Sequence, residues 1–155
     1  MTDNRYTRGP RVRVAAVIVR NGEILLAEHL KDGRAYYLLP GGGVDQGETL
    51  REALARELWE ETRLDVTPGR LLFICESIAP DHSRHIIQLA FAADIEAEAM
   101  PSKGDDPRVS GAYFFPPEAL PEMPLFPPMQ ETLVAGLRHG FPDAPPSLGN
   151  CWLAQ

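Results

Sequence analysis

Cysteine, lysine and long apolar runs are scarce in this sequence of 155 residues. The 2 cysteines, Cys75 and Cys151, show no CxxC spacing, so we expect free thiols in a reducing compartment and not a structural disulfide. No apolar run approaches the roughly 18 residues that a transmembrane helix needs. The first residues lack the apolar segment of a signal peptide. These absences predict a soluble, cytoplasmic protein with no membrane partner.

Positive charge is also in short supply. The 22 acidic residues outnumber the 15 basic ones, giving a net charge of -7, which argues against a nucleic-acid partner whose phosphates must be neutralised. An acidic protein can still bind a small phosphorylated ligand if a divalent cation bridges the like charges. Hydrophobic residues at 44% and charged residues at 24% are typical of one folded domain.

Apolar periodicity and turn residues predict a single α/β domain over residues 1–155, with irregular ends at about 1–10 and 141–155. Two strands (11–20 and 23–29) flank Asn21-Gly22, the strongest short-range hairpin signal. Further strands are predicted at 36–39, 70–78, 85–95 and 111–115. Helices are predicted at about 50–62 and from Pro127-Pro128 to Gly140. This order favours a mixed β-sheet with helices packed on it.

The first predicted helix carries acidic residues on its apolar side. A capping-box pattern, Thr49 and Glu52, starts the helix. At about 100° per residue, three glutamates fall on the side of its apolar residues Ala53, Leu54 and Leu58. These glutamates are Glu57, Glu60 and Glu61. Salt bridges on a solvated face are the simpler alternative, but such a face would point the other way.

Clustered carboxylates repel one another unless a cation neutralises them. With oxygen ligands only, the preferred ion is Mg²⁺, with Mn²⁺ as a substitute. Immediately upstream, Gly41, Gly42, Gly43 and Gly47 let the backbone approach a phosphate closely, and the helix N-terminus adds unpaired N–H groups. Glycine loop, helix and carboxylates in one segment predict a metal-assisted phosphate site.

These residues resemble the Nudix box: Gly, five residues, Glu, seven residues, then Arg-Glu-apolar-x-Glu-Glu-x-Gly-apolar. The sequence supplies Gly42, Glu48, the run 56–62 (Arg-Glu-Leu-Trp-Glu-Glu-Thr) and Leu64, and departs only at Arg63, where the family has glycine. The resemblance implies an α/β/α sandwich. It also implies Mg²⁺-dependent hydrolysis of a nucleoside diphosphate linked to another group, with dimers frequent in the family, so that a homodimer is expected as one state.

The resemblance also implies roles for individual residues. Glu57 and Glu61 would be the main metal ligands, Glu60 a third ligand or the general base, and the Gly42 carbonyl a further ligand. Arg56 would orient Glu57. Glu48 would be a water-mediated or second-layer ligand at the substrate site, and Gly41 and Gly43 would contact the substrate. His29 is either a basic residue facing the phosphates or a surface histidine. Arg63 would cost about 1 kcal/mol if the turn keeps a left-handed residue, without touching the chemistry.

Other residues have weaker signals. Tyr36, Tyr37 and Phe73 could stack on a nucleobase or fill the core, and His82 and His85 could edge the pocket or lie on the surface. Asp105 and Asp106 are either a solvated turn or an acidic loop of the site.

The substrate signal is weaker still. Pro80 lies 16 residues beyond Leu64, where proline is associated with ADP-ribose hydrolases of the family. This favours an ADP-sugar over a nucleoside triphosphate, with dinucleoside polyphosphates third. A nucleotide-sensing module without turnover is the alternative from another class.

Overall fold

The computed structural model describes residues 9–152, which form two sheets between two helices. The strands are β1 (Arg11–Val17), β2 (Val19–Arg20), β3 (Glu23–Lys31), β4 (Arg34–Leu38), β5 (Gly41–Gly43), β6 (Thr67–Ile78), β7 (His85–Asp94), β8 (Val109–Phe115) and β9 (Ser147–Asn150). The helices are α1 (Leu50–Thr62), a 3-10 helix (Pro117–Glu122) and α2 (Gln130–His139).

The first sheet is mixed and the second is antiparallel. In the first, the order is β5-β1-β7-β6-β9, with β1 parallel to β7 and β9 parallel to β6. In the second, β3 pairs with β2, β4 and β8. The parallel pairing places Arg13 of β1 directly beside Gln88 of β7, a neighbourhood that recurs in the candidate site.

Alternation along β1 explains the layers. Val14, Ala16 and Ile18 pack with the apolar face of α1, whereas Ala15 and Val17 belong to the cluster that includes Met129 and Leu133 beside α2. Because successive side chains of a strand point to opposite faces, one strand serves two cores. The result is the α/β/α sandwich that the sequence predicts, and its mixed sheet is confirmed.

Most element positions agree with the sequence pattern. Helix α1 runs from Leu50 to Thr62, as predicted, and its capping box between Thr49 and Glu52 is formed. The hairpin turn is present as well, since Asn21 and Gly22 both have positive φ, 53° and 77°. Strand β6 begins at Thr67 and not at residue 70, because its pairing with β7 extends past a bulge.

Three segments differ from the prediction. Gly41–Gly43 is a short strand paired with β1 and not a free loop. The tail, predicted to be irregular from residue 141, contains β9, which gains its hydrogen bonds from β6. Pro127 and Pro128 precede α2, whose N-cap is Met129. The predicted irregular start lies largely outside the described residues, and β1 begins at Arg11.

Both cysteines are free thiols, as expected: Cys75 is buried in the core and Cys151 is partly buried. Among residues 9–152, no helix has the length and apolar character needed to cross a lipid bilayer.

Candidate active site

Helix α1 presents two of its three predicted glutamates to the interior. Glu61 is buried, at 4% exposure, and Glu57 is largely covered. Glu60 lies at the edge of the helix with its side chain 45% exposed. The helical wheel correctly places Glu57 and Glu61 on the buried side of α1. It overstates the burial of Glu60, because Glu60 lies at the margin of the apolar stripe.

Strand β5 passes directly over these carboxylates. The Gly41 N–H donates a hydrogen bond to Glu61 Oε2 at 3.2 Å. A side chain at Gly42 would collide with the Glu57 carboxylate, so glycine lets the carboxylate lie directly against the strand. The sequence predicts that these glycines let the backbone approach a phosphate closely. In the structure the backbone of β5 approaches the carboxylates of α1 in this way.

Arg56 links the glycine strand to the acidic helix. Its Nε and Nη2 donate to both carboxylate oxygens of Glu48, each at 2.7 Å, and Nη1 donates to Glu57 Oε1 at 2.9 Å. Nη2 also donates to the Gly43 carbonyl at 3.0 Å. A longer bond of 3.3 Å reaches Glu60 Oε2. The planar guanidinium with its several fixed donors suits the role predicted for Arg56, which is to orient Glu57.

Burial and Arg56 set the electrostatics of the acids. Burial raises the pKa of Glu61 to about 8, although the nearby Arg13 opposes the shift. Burial likewise raises the pKa of Glu57 against the hydrogen bond from Arg56. The Arg56 hydrogen bonds lower the pKa of Glu48 to about 2. Glu48 is thus a fixed anion, whereas burial disfavours the charged forms of Glu57 and Glu61, which a bound cation would stabilise.

These donors suit a hard divalent cation. Within residues 9–152, no three Asp, Glu, His or Cys side chains lie close enough together to hold a metal ion by themselves. The available oxygens are the Glu57 and Glu61 carboxylates and backbone carbonyls of β5. Mg²⁺ is commonly bound by one or two carboxylates with waters and substrate phosphates completing the octahedron, so this set fits. Glu60 accepts a hydrogen bond from the same Arg56 Nη1 that bonds to Glu57, and its role as a third ligand stays a prediction.

Glu57 and Glu61 line a cavity of about 360 Å³ together with all three glycines of β5. Five cationic side chains also line it: Arg11, Arg13, Lys31, Arg84 and Arg108. Three aromatic side chains complete the wall: Tyr36, Phe126 and Trp152. A larger groove beside α2 contains none of the acidic residues of α1. Of these two, the cavity lined by Glu57 and Glu61 is the one that combines carboxylates with a larger number of cations. A metal-bridged polyphosphate would need that combination.

His29 lines this cavity, as the sequence suggests, but in a different chemical form. It is 8% exposed, and burial together with the charge of Arg13 lowers its pKa. Its Nε2 is buried without a hydrogen-bond partner, while Nδ1 lies 3.5 Å from the Tyr36 hydroxyl. These effects favour the uncharged imidazole, which lines the cavity while its Nε2 stays buried without a hydrogen bond.

The cavity also contains a residue that sequence reasoning missed. Arg13 of β1 is held by Gln88 Oε1 and by the Leu39 carbonyl, the latter at 2.8 Å. No sequence motif marks Arg13, and it reads as a solvent-facing position in an alternating strand. Only the parallel pairing of β1 with β7 reveals its neighbour Gln88.

The remaining candidates divide between site and structure. Tyr36 lines the cavity, but Tyr37 bonds to Glu28 at 2.9 Å and Phe73 is a core residue. His85 contacts Glu76 at 3.1 Å, and His82 is exposed. Neither histidine is among the residues lining the cavity.

The loop after β7 docks on the end of α1. The backbone N–H groups of Ser102, Gly104 and Asp105 donate to the carbonyls of Thr62, Glu61 and Glu60. Asp105 is exposed and pairs with Arg63, whereas Asp106 is mostly covered and pairs with Arg108 at 2.8 Å. The loop thereby satisfies carbonyls at the helix end and brings Arg108 to the cavity.

Comparison with known proteins agrees with this fold. Phosphatase NudJ of Escherichia coli K12 is 38% identical over 87 residues, which are 56% of this chain and 56% of that protein. The match thus spans about half the length of the curated relative. A NUDIX hydrolase from Nitrosomonas europaea superposes with a TM-score of 0.74 at 22% identity, covering 86% of this chain and 91% of its own.

An ADP-ribose pyrophosphatase from Streptococcus suis superposes with a TM-score of 0.68 at 20% identity, covering 90% of this chain and 99% of its own. At such identities the two structures establish the fold alone. The family model described as the NUDIX domain matches residues 9–135, well over half of the sequence. The chain therefore belongs to the NUDIX domain family.

Proposed function

We propose that this protein hydrolyses a pyrophosphate linkage in a nucleoside diphosphate derivative with the aid of Mg²⁺. The observation that carries the proposal is the placement of Glu57 and Glu61 beside β5, facing a cavity rich in arginine. When bound, the cation neutralises phosphate charge and polarises the phosphoryl oxygens. Family membership and the likeness to NudJ, named as a phosphatase, support the same chemistry.

Each residue of the proposed machinery has a distinct task. Glu57 and Glu61, with the Gly42 carbonyl, would hold the metal, and Arg56 would keep Glu57 aligned through its 2.9 Å bond. Gly41, Gly43 and His29, which line the cavity, would contact phosphate oxygens. Glu48 would act through Arg56, which it anchors on both oxygens.

The two candidates for the general base are Glu57 and Glu60. If Glu60 is not the base, it is the candidate for a third metal ligand. Glu60 is half exposed, bonds to Arg56 and is not among the residues lining the cavity. Glu57, in contrast, lines the cavity. This difference in position favours Glu57 as the base, because a general base must reach the attacking water.

For the substrate, we propose an ADP-sugar such as ADP-ribose. Tyr36 and Phe126 are in edge-to-face contact, with ring centroids 5.5 Å apart, and Trp152 joins them on the cavity wall. Such aromatic surfaces suit a nucleobase. Pro80 adds little, because it is exposed and is not among the residues lining the cavity. Nucleoside triphosphates are the second candidate, favoured by the surplus of cations, which could bind an additional phosphate.

The test is a panel of ADP-ribose, other ADP-sugars, nucleoside triphosphates and dinucleoside polyphosphates, with Mg²⁺ and with EDTA as the control. We expect ADP-ribose to give AMP and ribose 5-phosphate, and EDTA to stop the reaction. A triphosphate preferred by more than about tenfold in kcat/KM, or about 1.4 kcal/mol, would overturn the ADP-sugar assignment. Nucleotide binding without turnover would instead indicate a sensing module.

A further inference from the structure

Arg13 is a cation whose position the fold fixes closely. One side of its guanidinium donates to Gln88 Oε1 and another to the Leu39 carbonyl at 2.8 Å. Both acceptors are buried: Gln88 is 3% exposed and Leu39 is fully covered. A guanidinium has five N–H donors in a rigid plane. The two bonds, one from Nη1 and one from Nη2, therefore fix the direction of the remaining donors.

Gln88 is itself held in one orientation. Its amide nitrogen lies 3.4 Å from Cys75 Sγ and 3.3 Å from Met129 Sδ. Both sulfur atoms accept from the amide N–H groups, so the amide oxygen is directed to the other side, toward Arg13. The contacts thus run from Cys75 and Met129 in the core through Gln88 to Arg13 in the cavity.

The fixed cation lies in the same cavity as the acidic pair. Arg13, Glu57 and Glu61 all line that cavity, and the charge of Arg13 favours the ionised forms of both carboxylates. The bonds to Gln88 and Leu39 use two of the five N–H donors of the guanidinium, which leaves further donors for a ligand of the cavity. An anion bound there with its cation would have the guanidinium and the carboxylates as neighbours.

We propose that Arg13 binds the substrate phosphate next to the Glu57–Glu61 pair and that Gln88 is the positioning residue that aims it. The inference rests on the proposed function for the identity of the anion as a pyrophosphate. The guanidinium fork matches two oxygens of one phosphate, which a lysine ammonium cannot reproduce. Arg13 is thus a substrate-contacting residue that the motif 42–64 does not contain.

The experiment measures binding of imidodiphosphate, a hydrolysis-resistant pyrophosphate analogue, by calorimetry in the presence of Mg²⁺. We expect Arg13→Gln to weaken binding on the order of 10- to 100-fold, and Arg13→Lys by about tenfold, since charged hydrogen bonds are lost. Arg51→Gln is the matched control: Arg51, like Arg13, donates to two acceptors, here the backbone carbonyls of Pro68 and Gly69, but it is not among the residues lining the cavity. It should change affinity by less than about twofold.

Gln88→Leu tests the positioning role. It keeps the side-chain volume and removes the acceptor, so we expect about tenfold weaker imidodiphosphate binding with unchanged affinity for Mg²⁺ alone. A merely structural effect of Gln88 would lower the melting temperature and weaken both ligands together. That result would overturn the positioning role.

The remaining outcomes also decide the question. Imidodiphosphate affinity in folded Arg13→Gln within about twofold of the parent overturns the inference. If that variant fails to fold, Arg13→Lys and Gln88→Leu decide by the same criterion. Binding that depends on Arg13 in a protein that cleaves no compound of the nucleotide panel would support this inference and defeat the proposed function.

Discussion

Arg63 shows how one residue can depart from a family motif at small cost. It ends α1 in the left-handed conformation, with φ of 57°, as the sequence argument requires of the glycine it replaces. Its side chain makes two contacts that glycine could not make: an ion pair with Asp105 and a guanidinium 5.3 Å from the centre of the Trp59 ring. These contacts offset part of the backbone strain.

The first prediction concerns Arg63→Gly. Relief of the left-handed strain contributes about 1 kcal/mol. The lost ion pair is worth about 0–1 kcal/mol, since Asp105 is exposed and screened, and the ring contact is worth about 0.5–1 kcal/mol. We expect chemical denaturation to show a change in unfolding free energy below about 1 kcal/mol, with kcat within about twofold. A destabilisation above about 2 kcal/mol would mean that Arg63 docks the loop 102–108 on α1.

His29 gives a pH-dependent prediction. Its pKa is lower in the folded protein than in the unfolded chain, so the folded state binds fewer protons and stability falls as pH drops through and below about 6.5. His29→Phe removes this titration. We expect its melting temperature, measured without metal, to fall less between pH 7.5 and 5 than that of the parent. The exposed His139→Gln should follow the parent; equal slopes for all three proteins would contradict the buried neutral imidazole.

Between elements, the contact of β5 with α1 leaves no room for a side chain at Gly42. A Cβ atom at Gly42 would collide with the Glu57 carboxylate, while Gly42 is held in register opposite Val14 of β1. Neither element can move away easily, because the strand is hydrogen-bonded to the sheet and the helix is packed on its core. The carboxylate is the part that must yield.

We therefore predict that Gly42→Ala displaces Glu57 and lowers kcat by more than about 10-fold, with a smaller effect on stability. Enzyme kinetics and thermal unfolding measure the two effects. Gly69→Ala is the control, because its Cβ would lie 3.1 Å from the Ala92 carbonyl oxygen in a strand remote from Glu57. Normal turnover in Gly42→Ala would show that Glu57 need not occupy its present position.

The elements also show where sequence reasoning succeeds. Helix α1 was predictable residue by residue, since its cap, apolar stripe and length are all local properties. Strands β5 and β9 were not, because three glycines and a proline-rich tail have low strand propensity and gain their order from partners, β1 and β6. Tertiary pairing overrides local preference in both cases.

At the scale of the whole molecule, the cavity is assembled from distant parts of the chain. The carboxylates come from one motif, but Arg13 comes from β1, Arg84 from the turn before β7 and Arg108 from the loop before β8. The spacing of these three arginines in the sequence does not reveal that they share a cavity. That becomes visible only when the order of the strands in the sheets is known. The motif 42–64 therefore predicted a metal and a hydrolysis, while the proposed phosphate contacts outside it required the fold. The homodimer stays a prediction.

The central claim is that buried carboxylates of α1 serve a metal-dependent hydrolysis and not the stability of the core. The most direct test compares Glu57→Gln and Glu61→Gln with the parent, using the best substrate of the nucleotide panel at saturating Mg²⁺ and thermal unfolding in EDTA. The account predicts that each variant loses turnover by more than about 100-fold. It also predicts that each melts without metal at or above the temperature of the parent, since the burial of a charged carboxylate and its repulsion by the neighbouring one are relieved. Near-native turnover in either variant would contradict the claim.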